Sequence, residues 1–215
     1  MTANDPRWDE RVSGSAFISH WVMTDPDITK LASTRRLTLW NVRFPSDFRF
    51  SALPDLEFLD IRGGSRPNLS YLDGCRTLRG LVVNQVRSLA DITVVAELSG
   101  LRILSLYGLA RVEKLPDLSS LVRLERLDIG QMRNLTDWRA LTTPPQLREL
   151  YFHNLVRPDP EVIDRLASHP TLREFDWSAP DVPAKVQNPI RQRLAGLAKA
   201  RPVLPEQWLR DAGDL

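Results

Sequence analysis

Along "LRILSLYGLARVEKLPDLSSL", residues 101–121, apolar side chains fall at Leu101, Leu104, Leu106, Leu109, Val112, Leu115, Leu118 and Leu121. An amphipathic helix alternates steps of three and four, and a half-buried strand steps by two. Here one step of two, from Leu104 to Leu106, precedes an unbroken run of threes. Residues two apart share a face in an extended chain, and residues three apart eclipse in a 3₁₀-like turn. The pattern therefore predicts a short strand followed by a tight return path, with the apolar residues facing the inside of one bend.

The same pattern recurs along the chain. "LRGLVVNQ" begins at Leu78, "LRILSLYG" at Leu101, "LERLDIGQ" at Leu124 and "LRELYFHN" at Leu147, in steps of 23. "LEFLDIRG" precedes them at Leu56, "LREFDWSA" follows at Leu172, and a degenerate "TRRLTLWN" begins at Thr34. The runs of threes recur as well, as Val86, Leu89, Ile92, Val95 and Leu98, and as Met132, Leu135, Trp138 and Leu141. A fixed period in this range, repeated seven times, predicts a solenoid in which each coil buries its apolar side against the next.

Each copy reads L-x-x-L-x-L, and over about residues 28–180 the chain resembles the leucine-rich repeat family. The resemblance implies an α/β solenoid. A parallel strand from each repeat would line the concave face, with turns, 3₁₀ helix or short helix on the convex side. Many members of the family carry Asn three residues after the L-x-L pair. The matching positions here are Val42, Gly64, Val86, Leu109, Met132, Leu155 and Pro180. The polar residue stands one place earlier instead, as Asn41, Gln85, Gln131 and Asn154, with Gly63 and Gly108 between them.

Three regions follow: an N-terminal cap at 1–27, a solenoid of about seven coils at 28–180 and a C-terminal helical cap at 181–215. "SAFISHWV" (15–22) reads as strand after a Ser13-Gly14 turn, and Ile28, Leu31 and Thr34 have return-path spacing, predicting a half coil. "DPEVIDRLASHP" predicts a short helix in place of a 3₁₀ segment. A further helix is expected from Pro189, with Asn188 as N-cap and Ile190, Leu194, Leu197 and Ala198 as its apolar face. "EQWLRDAG" predicts another turn or two, with Trp208 and Leu209 packing back. Both ends read as lids on the apolar ends of the stack.

Charge changes this picture little. The 29 basic and 27 acidic residues nearly cancel, which argues against a dedicated nucleic-acid binder. A row of arginines at repeat position two (Arg35, Arg79, Arg102, Arg148, Arg173) is interrupted by Glu57 and Glu125. No apolar run reaches the length that crosses a bilayer, and the single cysteine cannot form an internal disulfide. These features lead to the expectation of a soluble, cytoplasmic protein.

Candidate chemistry is sparse. His20, His153 and His169 are far apart in sequence, and no hydrolase, phosphate-loop or paired-cysteine metal motif is present. Cys75 falls in the series Leu69, Leu72, Cys75, Leu78 and is expected in the core. Asp60, Asp128 and Asp176 share one repeat position. Asp60 and Asp128 are three coils apart, roughly 14 Å at the parallel-strand spacing, too far for paired acid–base work. A solvated face is the expectation for that column. No catalytic residue, metal or cofactor is called for.

What the strands would offer is an outward face of about twenty positions, the size of one side of a standard protein interface. Arg36, Trp40, Phe58, Asp60, Arg62, Tyr107, Arg126, Asp128, Glu149, Tyr151 and His153 are its candidate partner-binding residues. Trp, Tyr and Arg dominate interface hot spots. The charge also grades from Arg36 and Arg62 early to Glu149, Glu174 and Asp176 late. The expected function is a non-enzymatic module that binds another protein through its concave sheet; an inhibitor or immunity-type partner and a scaffold both fit. The alternative is a metal-dependent or enzymatic site at the acidic C-terminal coils, around Glu149, Tyr151, His153 and Asp176.

Overall fold

The computed structural model describes residues 8–9 and 14–215. Ten strands form one sheet, ordered along the chain: β1 (Trp8–Asp9), β2 (Ser15–Ser19), β3 (Arg36–Trp40), β4 (Phe58–Arg62), β5 (Gly80–Asn84), β6 (Ile103–Tyr107), β7 (Arg126–Gly130), β8 (Glu149–His153), β9 (Glu174–Ser178) and β10 (Ala198–Lys199). β1 pairs antiparallel with β2, and every other pairing is parallel. From β2 to β9 all strands are five residues long and in register, so equivalent repeat positions form straight rows across the sheet.

Period sets this register. In each strand the second and fourth residues turn inward, giving paired columns such as Leu81 and Val83, Leu104 and Leu106, and Leu127 and Ile129, all essentially inaccessible to solvent. The runs of threes form the opposite wall: 3₁₀ segments span Phe50–Ala52, Ser70–Leu72, Thr93–Glu97 and Arg139–Thr142. Where the early repeat lacks a leucine ladder, Phe44, Phe48, Phe50 and Tyr71 fill the coil with edge-to-face contacts at centroid distances of 4.9–5.8 Å. Cys75 is buried in this interior, as its spacing predicts, and burial pushes its thiol up to about 11.

The polar residue after each strand has a conformational reason. Asn41, Gln85, Gln131 and Asn154 have φ of 48–53°, and Gly63 and Gly108 lie at 65° and 68°. The chain turns off the sheet there through a left-handed residue, which Asn and Gly tolerate best. The backbone N–H of Asn41, Gly63, Gln85, Gly108 and Asn154 each donates to a carbonyl of the next coil. Asn41 adds a side-chain bond, its Oδ1 accepting from Gly64 N–H at 2.7 Å. A Cβ on Gly63 would lie 2.4 Å from that Oδ1, so glycine at 63 leaves the Asn41 side chain room for its bond.

The ends differ from the sequence expectation in four respects. β2 pairs with β3 along its whole length, so residues 15–35 form a complete coil rather than half of one. Ser13 lies outside the described residues, while Gly14 is a turn with φ of 72°. The return path of that coil is α1 (Asp25–Lys30), not a run of threes. Asp27 nucleates it, accepting from Thr24 N–H, the Thr24 hydroxyl and Trp21 Nε1–H at 2.9–3.1 Å.

α2 (Pro160–Ala167) forms where the sequence places it, with Val162, Ile163 and Leu166 buried. The next helix, α3 (Ala184–Arg193), begins five residues before the expected Pro189 start and carries Pro189 inside it. Gln187 anchors its first turn, donating to the carbonyls of Ala179 and Val182 at 2.8 and 2.7 Å.

The fourth difference lies in the C-terminal segment. α4 (Pro205–Asp211) is helical as predicted, and Trp208 and Leu209 do pack back. They pack not on the end of the stack but on the outer face of the sheet. There they form an apolar cluster with Phe58, Val82 and Ile103 that is separate from the coil interior.

Candidate functional site

Three rows of side chains leave the concave side of each strand, at its first, third and fifth positions, and the C-terminal segment divides them. The first row runs Arg36, Phe58, Gly80, Ile103, Arg126, Glu149 and Glu174. Much of it lies beneath residues 200–215. Gly80 is hollow by necessity, since a Cβ there would come within 2.5 Å of both Leu209 Cδ1 and Phe58 Cδ2. Arg126, 1% exposed, donates to the Val203 carbonyl at 3.1 Å and the Arg201 carbonyl at 3.3 Å. Trp208 Nε1–H donates to Glu149 at 2.8 Å, Arg36 lies 3.8 Å from Glu206, and Arg79 pairs with Asp214 at 3.0 Å.

The third row corrects the reading of the aspartate column as a solvated face. Asp60, Asp128 and Asp176 are all buried. Each has a cation of its own. Arg62 pairs with Asp60 at 2.6 Å, Arg126 with Asp128 at 2.8 Å, and Arg191 and Lys199 with Asp176 at 3.3 and 3.7 Å. A buried carboxylate without a cation would lose several kcal/mol of hydration uncompensated, so the folded state depends on these pairs. Burial pushes the carboxyl of Asp60 up, against the pull of Arg62. Burial likewise raises the phenol of Tyr151, helped by Asp176 and Asp128, and raises Glu174, helped by Glu149.

The fifth row remains open. In register it reads Trp40, Arg62, Asn84, Tyr107, Gly130, His153 and Ser178. Trp40 is 47% exposed, and His20 stands beside it with ring centroids 5.8 Å apart. Gly130 leaves room for its neighbours, because a Cβ there would meet His153 at 2.6 Å and Tyr107 at 2.8 Å. Tyr107 and His153 thus meet edge to face at 6.4 Å, and Tyr107 Oη accepts from Asn154 Nδ2–H at 2.7 Å. Between this row and residues Pro202–Glu206 runs a groove of about 440 Å³. Its floor carries Asp60, Ser105, Asp128 and Tyr151, and Leu204, 73% exposed, rises from its other wall.

Of the residues expected to face a partner, the structure places Trp40 and Arg62 in the open and Tyr107 and His153 half-buried beside them. Arg36 and Glu149 are half-buried against the C-terminal segment. Phe58, Asp60, Arg126, Asp128 and Tyr151 are buried. The graded charge is largely answered within the molecule, since Glu149 is held by Arg126 and Trp208 and Asp176 by its two cations. His20, Asn84, Asn154 and Leu204 complete the open strip and groove wall, and none of them was among the candidate partner-binding residues. His20 and Asn154 follow directly on strand ends, a signal the register of the motif already contained.

At the coils of the alternative reading, His153 Nε2 lies 4.0 Å from Asp128 Oδ2. Among the described residues, no group of three His, Cys, Asp or Glu side chains is placed to hold a metal ion. The arginine row at repeat position two is occupied as well. Arg35 and Arg79 bracket Glu57, Arg102 and Arg148 bracket Glu125, and Asp214 sits between Arg79 and Arg102. Among the described residues, no helix is long and apolar enough to cross a membrane.

These coils, in-register parallel strands and L-x-x-L-x-L columns are those of an α/β leucine-rich-repeat solenoid. Among solved structures the chain is similar to an internalin of Listeria monocytogenes, with a TM-score of 0.44 and 16% identity. That likeness covers 87% of this chain, which spans 62% of the length of the other. No protein-family model matches the chain, and no curated protein matches it in sequence.

Proposed function

We propose that the protein is a non-enzymatic module that binds another protein along the open strip of its concave sheet. The observation that carries this reading is the fifth row itself. Trp40, Arg62, Tyr107 and His153 are held on a rigid in-register sheet, and three of the four are residue types that dominate interface hot spots. A surface ordered before binding loses little conformational entropy on complex formation, which favours affinity per residue. Inhibition of one partner and scaffolding of several both use such a surface; the number of partners distinguishes them.

The test is affinity capture from the native host, comparing wild type with a Trp40→Ala, Arg62→Glu, Tyr107→Ala variant whose circular dichroism matches wild type. A protein retained by wild type and lost by the variant is the expected result. Recovery of the same proteins by both would move the site off the open strip. A single stoichiometric partner would indicate an inhibitor, and several would indicate a scaffold.

A further inference from the structure

The first row of the same sheet has features of a docking site that is already filled. Trp208 and Leu209 pack with Phe58, Val82 and Ile103 as a cluster of their own, so the coil interior closes without them. Gly80 opens the hollow that receives Leu209. The frame around this cluster is charged: Arg79 and Arg102 hold Asp214, and Arg36 faces Glu206. A central Trp in an apolar pocket, ringed by Arg–carboxylate pairs, is the anatomy of a protein–protein interface rather than of this protein's leucine-lined core. The segment reaches the site through residues 200–204, which form no helix or strand and are followed by Pro205 at the first turn of α4.

We infer that residues 200–215 occupy, in cis, a docking site for a second protein that presents a helix with adjacent aromatic and aliphatic side chains flanked by carboxylates. The inference rests on the proposed function only in taking the partner to be a protein, since its site is the first row and not the fifth. The tail defines the chemistry that the face accepts: an aromatic–aliphatic pair for Phe58, Val82 and Ile103, and acids for Arg36, Arg79 and Arg102. A tethered segment acts at an effective concentration in the millimolar range, so the partner's apparent affinity is reduced by the fraction of time the tail is docked. Weakening the tail therefore strengthens partner binding.

The probe is a labelled synthetic peptide of residues 200–215, titrated by fluorescence anisotropy against the full chain and against the full-length Trp208→Ala, Leu209→Ala variant. The variant is expected to bind the peptide at least tenfold more tightly than wild type, with affinity falling as salt rises. Equal binding to both, or none to either, would overturn the inference. Should the variant not fold, hydrogen exchange of wild type decides: amides of α4 are expected to exchange at least tenfold faster than those of β6. Equal protection would make the tail an inseparable part of the fold. A wild-type dimer in light scattering with tails exchanged between copies would assign the site to self-association and overturn the foreign partner. The capture variant alters Trp40, Arg62 and Tyr107 and leaves residues 200–215 intact, so its failure is distinguishable from failure of the peptide titration.

Discussion

The two ends of each strand carry side chains to the same side of one sheet and meet opposite fates. At the first position of β7, Arg126 is 1% exposed and spends its guanidinium on Asp128 and two backbone carbonyls of the tail. At the fifth position of β3, Trp40 is 47% exposed, with His20 as its ring neighbour. A lone arginine and a lone tryptophan in these positions would ordinarily be assigned the other way round. What separates them is a short helix distant in sequence that lies across one row and leaves the other bare. Direction out of a sheet is a local property; exposure is not.

Breaking the covered row should have the largest effect. Arg126→Ala leaves the buried Asp128 without its cation and is expected to cost about 3–5 kcal/mol in urea unfolding. A loss below about 1 kcal/mol would mean that water reaches the pair. Trp208→Ala removes the centre of the tail contact and is expected to cost about 3 kcal/mol. Limited proteolysis should then cut near residues 200–204 while the coils persist. Gly80→Ala pushes a methyl group into Leu209 and Phe58 and is expected to cost about 1–3 kcal/mol, with faster exchange in α4 alone. Uniformly faster exchange would show that the tail and coils unfold together.

The open row should respond in the other sense. Tyr107→Ala removes one hydrogen bond from Asn154 and is expected to cost about 1 kcal/mol of stability, while lowering capture of the partner at least tenfold. The smallest effect concerns pH. Because burial raises the carboxyl of Asp60, the folded state holds that proton more tightly than the unfolded chain does. Its contribution therefore falls as pH rises from the ordinary carboxylate range through the raised value, and is constant above. Asp60→Asn should flatten that limb in urea unfolding curves measured upward from the ordinary carboxylate range. An unchanged slope would place the titration elsewhere.

Much of the fold was legible because the solenoid is nearly one-dimensional: each coil touches its neighbours, so a period of 23 residues is also a geometry. Leu104 and Leu106 had to share a face, and Cys75, placed by its triplet spacing, is buried where that spacing predicted. Even the departure from the family pattern carried information. Asn41, Gln85 and Asn154 occupy the left-handed turn one residue earlier, and Gly63 and Gly108 alternate with them for the same steric reason. The helix start at Ala184 was not legible, because the anchor is Gln187 bonding to carbonyls of a preceding loop, and Pro189 suggested a boundary that tertiary contacts overrode.

Residue by residue, then, the amino-acid sequence determined which side chains line the coil interior and which leave the concave side of the sheet. Both follow from local spacing and the alternation of an extended chain. Only the tertiary structure decided what those outward residues meet. The choice depends on Trp208, Leu209 and Asp214 finding Phe58, Arg79 and Arg102 across more than a hundred intervening residues, contacts that no periodicity encodes. Burial of Arg126 under residues 201–203 follows from that long-range contact, whereas Asp176 is enclosed by Arg191 and Lys199 and the strip from Trp40 to His153 is left uncovered.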